Sequence, residues 1–334
     1  MADQPEVNER DVNEPEPRRP VALSIDVVVP VYGNWAMTRD CIEHLQRQGI
    51  AHTLIIVDDA GPDDTAERLR AEYPHVTLVE HKTNRGFAAA CNSGIQAGTG
   101  DLVMLVNNDV QADPDMLERL AEAFTANPKL GSAAPLLFQP NGTIDAVGLC
   151  ADPTLAGFLR FHGAAESQLS ADAPALLGPY GAVAAFRRTA LTEVGLLDEG
   201  IFMYGEELDL ALRLSAAGWA TTAVLASRGV HLGGATSGRG SAKQRERAGF
   251  GRGYLLRAYG VLTTRTGPRA LATELIVCVG DLLLSRDLAS TRGRLAGWRA
   301  GRHAEVRPAT VPGLDATIGF VTSLRMRVGD YAAR

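Results

Sequence analysis

From Val21 onward, short runs of β-branched and aliphatic residues alternate with stretches whose apolar positions recur every three or four residues. Ile25 to Val31 precedes a helical pattern near Trp35 to Gln48, and Thr53 to Val57 precedes one near Asp63 to Glu72. Val76 to Val79 is followed by Gly86 to Ala97, and Leu102 to Val106 by Pro114 to Ala126. Apolar runs this short, bounded by turn residues, read as buried strands. The series therefore predicts an α/β fold with a mostly parallel, Rossmann-like sheet covered by helices on both faces. Beyond Gly131 glycine, alanine and proline become frequent, the helical period is lost between Leu136 and Gly178, and Ala182 to Arg187 reads as a strand with Arg187-Arg188 at its end as solvated charge. A helix is predicted to start at Gly205. Helical spacing resumes from about Ser241, which predicts a helical C-terminal extension over residues 241–334.

Each early strand exits into polar residues. These are Pro30-Val31-Tyr32-Gly33-Asn34, Asp58-Asp59, Asn84-Arg85-Gly86 and Asn107-Asn108-Asp109. Ligands of open α/β sheets bind at this edge, where carboxylates and amides suit a base and ribose, while backbone N–H groups, a cation or an arginine suit a diphosphate. Asp109 fits a hard divalent cation that must also hold phosphate oxygens. The same residue also fits a loop cap ahead of Asp113-Pro114. Asp58 and Asp59 serve either a nucleotide or the turn before Gly61-Pro62, where Asp63 and Asp64 already supply the helix start. The small residues that follow Asn84-Arg85-Gly86, through Asn92, allow either close approach of a ligand or tight packing of helix on sheet.

Composition narrows the field. The chain of 334 residues carries a net charge of -6, which argues against nucleic-acid binding driven by bulk charge. Residues 1–20 are polar and proline-rich and are expected to form a disordered tail. Four widely separated cysteines, Cys41, Cys91, Cys150 and Cys278, show no metal or disulfide spacing and read as free thiols of a reducing cytoplasm. The most apolar stretch, Leu271 to Leu284, is interrupted by Thr273, Glu274 and Asp281, so it reads as a packed or an interfacial helix.

A second constellation is Phe202-Met-Tyr-Gly-Glu-Glu-Leu-Asp209, running on to Arg213. Glu206, Asp209 and Arg213 share a helix face, whereas Glu207 points about 100° away from Glu206. First-turn acids and an i,i+4 pair account for three of these charges. Glu207 is left as a general base, with Phe202 and Tyr204 to exclude water. His231 is expected in a loop, where an imidazole suits a metal or a phosphate.

Taken together, the motifs resemble family 2 inverting glycosyltransferases of the GT-A fold, and most closely the rhamnosyltransferase-like branch that builds bacterial surface polysaccharides. The resemblance runs from about Ile25 to about Ser237 through Val-Val-Pro-Val-Tyr-Gly-Asn34, Ile-Val-Asp-Asp59, Asn-Arg-Gly-Phe-Ala-Ala-Ala-Cys-Asn92, Asn-Asn-Asp109, Gly-Leu-Leu-Asp198, Phe-Met-Tyr-Gly-Glu-Glu-Leu-Asp-Leu210 and His-Leu-Gly-Gly234. It implies a catalytic domain over 21–240, with a nucleotide-sugar half (21–130) and an acceptor half (131–240). It assigns Glu207 as the base, although the family usually has aspartate there, and Mg²⁺ or Mn²⁺ to Asp109 and His231. Pro30, Tyr32, Asp58, Asp59, Asn84, Arg85, Gly86, Asn92 and Asn108 are expected to bind the donor. Glu206, Asp209, Tyr204 and Arg213 are expected to support the acceptor or the base. The expected partners are a nucleotide-diphosphate sugar, such as dTDP-rhamnose, and a glycan or lipid-linked acceptor. The expected place is the cytoplasm, with peripheral contact at the inner face of the plasma membrane. A silent sugar-binding scaffold and a sugar-nucleotide pyrophosphorylase are the alternatives. The second would need a glycine-rich phosphate loop after the first strand, and Pro30-Val-Tyr-Gly-Asn34 does not supply one.

Overall fold

The computed structural model describes residues 23–171, 173–233, 240–308 and 311–327. The expected N-terminal tail lies outside them, as do Gly234 and the residues after it as far as Ser237. The first half follows the alternation read from the sequence: β1 (Ile25–Val31), α1 (Trp35–Gln46), β2 (Thr53–Asp58), α2 (Thr65–Glu72), β3 (Thr77–Glu80), α3 (Phe87–Ala97), β4 (Leu102–Val106), β5 (Val110–Ala112) and α4 (Met116–Ala126). Then come β6 (Leu130–Phe138), β7 (Ile144–Ala146), β8 (Leu149–Ala151), β9 (Gly157–Leu159), β10 (Val183–Arg187), α5 (Arg188–Val194), α6 (Glu206–Ala216) and β11 (Ala220–His231). The chain ends with α7 (Ala242–Ala258), α8 (Gly267–Ser285), α9 (Ala289–Ala300) and α10 (Phe320–Met326).

The main sheet has the order β3-β2-β1-β4-β10-β6-β11-β5, with β7 beside β6. Pairing is parallel from β3 through β4, as the crossover helices require. The far half is mixed rather than parallel, because β10 runs antiparallel to both β4 and β6, and β11 antiparallel to β5. Successive side chains of β1 divide between two cores. Val27, Val29 and Val31 join Ile42 and Leu45 of α1 and Leu117 and Leu120 of α4. Val28 joins Cys91 and Ile95 of α3 and Leu210 and Leu214 of α6.

Two expectations need correction here. Arg187 and Arg188 are half-buried rather than free surface charges. Arg187 donates to the carbonyls of Leu130 at 3.0 Å and Phe124 at 2.9 Å, and Arg188 donates to Ile95 O at 2.8 Å and to Asp26 at 2.7 Å. They fasten the start of α5 to the opposite end of the sheet from the polar strand exits. The C-terminal helices also pack more closely than their arginine content suggested. On α7, a Cβ added at Gly253 would meet Arg294 O at 2.1 Å, and on α9 one added at Gly297 would meet Phe250 O at 1.9 Å, so these backbones touch through glycine.

Candidate functional site

The four polar strand exits do converge. A cavity of 430 Å³ at this sheet edge is walled by Pro30 near the end of β1 and Tyr32 after it, Asp59 after β2, Asn84 and Gly86 before α3, and Asn108 and Asp109 after β4. Its other wall is Tyr204, Glu206 and Glu207 at the start of α6, together with His231. The fold therefore brings eleven of the sequence-derived residues to one space.

Asp59 holds its part of the wall rigid. Its Oδ1 accepts from His81 Nδ1 at 2.7 Å and from Arg85 N at 2.8 Å, and its Oδ2 from Gly86 N at 2.8 Å. Gly86 has φ +91, and a Cβ there would stand 2.5 Å from Phe202 O. The next residue, Phe87, donates its N–H to that same carbonyl at 2.9 Å. The loop after β3 is thus pinned both to Asp59 and to the approach of α6. Asn108 is buried and donates to Thr38 Oγ1 at 3.0 Å.

His231 ends β11 instead of lying in a loop. The antiparallel register sets it opposite Val110, and Leu232 N donates to Asp109 O at 2.9 Å, so strand pairing itself places the imidazole beside Asp109. His231 Nε2 is 3.3 Å from Asp109 Oδ1. That oxygen is buried and lacks an aligned hydrogen bond. On the other side of the ring, Nδ1 lies 2.7 Å from Asp145 Oδ2. Burial works against protonation of His231, but the carboxylates of Asp109 and Asp145 on either side of the ring prevail and raise its pKa to about 9. One carboxylate and one imidazole, with a buried oxygen to spare, suit a divalent ion that takes its remaining ligands from a diphosphate. Among the described residues no group of three or more His, Cys, Asp or Glu side chains could hold an ion unaided.

Gly205, with φ +111, caps the start of α6, whose first turn carries three acids, of which Glu206 and Glu207 face the cavity. Glu207 bends back to accept from Gly205 N at 3.2 Å. Burial raises the pKa of both Glu206 and Glu207. Glu206 rises well above the ordinary range, through burial first and the charge of Glu207 next. Glu206 Oε2 is buried without a hydrogen-bond partner.

Five sequence-derived residues stand outside the cavity wall. Asp58 caps its own turn through Gly61 N at 3.0 Å. Arg85 contributes its backbone N–H, while its guanidinium reaches outward to Glu199 at 2.9 Å. Asn92 spends its amide on Leu197 O, Leu197 N and Glu199. Asp209 is fully buried against Arg213 at 2.8 Å, Tyr259 at 2.9 Å and Arg307. Arg213 also binds the carbonyls of Val194, Gly195 and Leu196. Asp209 and Arg213 thus lock α6 in place; facing the core, they cannot reach the cavity.

Sequence reading missed Asp145, His162, Tyr180 and Arg247. Asp145 and Tyr180 flank His231, the tyrosine ring packing edge-on at 5.9 Å, and the Arg247 guanidinium lies 4.5 Å from the Phe202 ring centroid. The one signal for Asp145 was an acid set among apolar neighbours in a region without periodicity.

Residues 26–195 match the model of glycosyl transferase family 2, just over half of the chain. The chain is 26% identical to an N-acetylglucosaminyl-diphospho-decaprenol L-rhamnosyltransferase of Mycobacterium tuberculosis, an alignment covering 56% of this chain and 68% of that protein. Its backbone resembles mannosyltransferase PcManGT from Pyrobaculum calidifontis, solved with GDP-Man and Mn²⁺, at a TM-score of 0.52 and 19% identity over 86% of this chain and 78% of that one. It also resembles GalNAc-T7 solved with UDP, GalNAc and Mn²⁺, at a TM-score of 0.55 and 14% identity over 75% of this chain and 51% of that one. With its matched sheet edge, its cavity and these likenesses, the chain belongs to glycosyl transferase family 2 and has the GT-A fold.

Proposed function

We propose that the protein transfers a sugar, with inversion, from a nucleotide diphosphate to an acceptor hydroxyl. The observation that carries this reading is the facing of two unlike acid sites across one cavity: Asp109 with His231 on the sheet side, Glu207 with Glu206 on the helix side. A leaving diphosphate needs positive charge and an attacking hydroxyl needs a base. Bound Mg²⁺ or Mn²⁺ would stabilise the negative charge on the leaving oxygen. Asp109 and His231 would hold it. The acceptor oxygen forms its bond to the anomeric carbon as the bond from that carbon to the diphosphate oxygen breaks; the electron pair leaves with the diphosphate and the proton passes to Glu207. A single base suffices for inversion, so no second carboxylate is required as nucleophile.

The donor would lie against Pro30, Tyr32, Asn84, Gly86 and Asn108, with Asp59 organising the loop beneath it. The proposed halves are 21–130 for the donor and 131–240 for the acceptor. The likeness to a rhamnosyltransferase acting on a diphospho-decaprenol supports a deoxythymidine-diphosphate sugar such as rhamnose, and a glycan or lipid-linked glycan of the bacterial surface as acceptor. Among the described residues no helix is long and apolar enough to cross a membrane. The membrane contact we propose is peripheral, through α8, which exposes Leu271, Leu275 and Leu283. A panel of sugar nucleotides with Mn²⁺ or Mg²⁺, read by nucleoside diphosphate release, tests the transfer. Donor binding without turnover under any acceptor would instead favour a silent sugar-binding scaffold.

A further inference from the structure

A second cavity, of 550 Å³, adjoins the first and shares Glu207, Tyr204, Leu159 and His162 with it. One side of it is formed by the C-terminal helices, which lie outside the region matched by the family model. Three arginines of its wall converge on one buried carboxylate. Glu274 accepts from Arg252 Nε at 2.7 Å, Arg294 Nε at 2.7 Å and Arg327 Nη2 at 3.1 Å. Asp281 stands in the same wall. Arg245 is already matched by Asp287. The cluster still has more cations than anions, and Arg327 Nε is buried without a partner. Burial pulls the Arg327 guanidinium below its ordinary value; Glu274 opposes this, and the like charges of Arg252 and Arg294 reinforce it. An added anion with several acceptor oxygens would satisfy what the cluster lacks.

The rest of the wall is apolar. Leu149, Leu155, Phe158 and Leu208 face Val277 and Met326. A small hydrophilic anion gains nothing from these groups, whereas a hydrocarbon attached to the anion does. The helix that closes the cavity is also apolar on its outside. Val277 and Asp281 line the cavity and Glu274 lies buried beside them, whereas the opposite stripe, Leu271, Leu275, Val279 and Leu282, is exposed, Leu275 by 64%. A helix carrying such a stripe rests stably at the edge of a lipid layer.

We propose that this second cavity is the acceptor site and that it takes a lipid diphosphate. The diphosphate lies among Arg252, Arg294 and Arg327, the hydrocarbon lies along the apolar wall, and the sugar carried on the diphosphate points to Glu207 at the junction of the two cavities. This inference rests on the glycosyl-transfer reading for its direction, and the binding it asserts stands apart from turnover.

Titration calorimetry in EDTA tests it, since without divalent ions a diphosphate is not drawn to Asp109 and His231. The ligands are farnesyl diphosphate below its micelle concentration, inorganic diphosphate and farnesol. Farnesyl diphosphate is expected to bind about tenfold or more tightly than either fragment, and Arg327→Leu and Val277→Trp each to weaken it about tenfold or more. Failure of farnesyl diphosphate to bind, equal binding of inorganic diphosphate, or equal affinity in both variants overturns the proposal. The two variants attack the site from different helices, circular dichroism melting checks their folding, and the wild-type ligand comparison decides even if both misfold. Nucleoside diphosphate release from the donor panel is scored separately. If it never occurs while farnesyl diphosphate binds as described, the transfer reading falls and the lipid site remains; the converse result removes only the lipid site.

Discussion

His231 Nδ1 lies 2.7 Å from Asp145 Oδ2, and this contact fixes which nitrogen of the ring faces Asp109. With Nδ1 donating to the carboxylate, Nε2 is the nitrogen left to coordinate a cation. Replacing Asp145 with asparagine keeps the shape and removes the charge. Affinity for Mn²⁺ in the presence of a nucleoside diphosphate, measured by calorimetry, should fall about 10- to 100-fold. An unchanged affinity would show that the ring orientation does not depend on this partner.

Glu207 carries the second prediction. Glu207→Gln should abolish sugar transfer while donor affinity stays within about twofold, because the amide cannot take a proton and the donor side of the cavity is untouched. Glu207→Asp tests the fold-back onto Gly205 N. If the bent glutamate places its carboxylate where the reaction needs it, the shorter side chain falls about an ångström away and kcat drops up to about a hundredfold. The pH profile adds a sign. Burial raises Glu207 above the ordinary 4.5, so kcat should climb with pH through a midpoint above that value as the base ionises. A midpoint at or below 4.5 would contradict its assignment as a buried base.

Gly86 is a joint between the two walls. Alanine there would need a positive φ and would push its Cβ into Phe202 O, which the adjacent Phe87 N–H uses. Gly86→Ala should therefore cost about 1–3 kcal/mol of stability in denaturant unfolding and weaken donor binding as the Asp59 loop shifts. Ser93→Ala offers the contrast. It removes only the hydroxyl on His81 Nε2, so donor affinity should change far less.

How much of this was legible beforehand follows from the range of the interactions. The β1-to-α4 succession is written in local periodicity, and Asp59, Asp109 and Glu207 sit at strand exits or a helix start, positions that sequence signals mark directly. The antiparallel insertion of β10 between β4 and β6 depends on pairings between residues far apart, which no local pattern records. The same holds for Asp145, whose value comes from facing His231 across 86 residues. Asp209 and Arg213 were overread for the opposite reason. Their i,i+4 spacing was visible, but the burial that turns them toward Tyr259 and Arg307 was not. Arg187 and Arg188 likewise looked like surface charge until the carbonyls they satisfy were brought to them by the fold.

Glu274 gives a prediction in acid. Its burial alone would raise its pKa, but Arg252, Arg327 and Arg294 overcome this and lower it to about 2 from the ordinary 4.5. A carboxyl held below its unfolded value stabilises the fold at pH above 4.5, and that contribution disappears as pH falls through the folded value. At about 1.36 kcal/mol per unit, the shift amounts to roughly 3 kcal/mol, concentrated where α7, α8, α9 and the end of α10 meet. Acid titration of the wild type should show this loss between about pH 4.5 and 2. Glu274→Gln should lose the stability at neutral pH instead, because three arginines then face one another without the carboxylate that all of them bind, and its unfolding free energy should depend less on pH over the same interval. A Glu274→Gln variant as stable at pH 7 as the parent would mean that the surrounding arginines find water or backbone partners as good as the carboxylate.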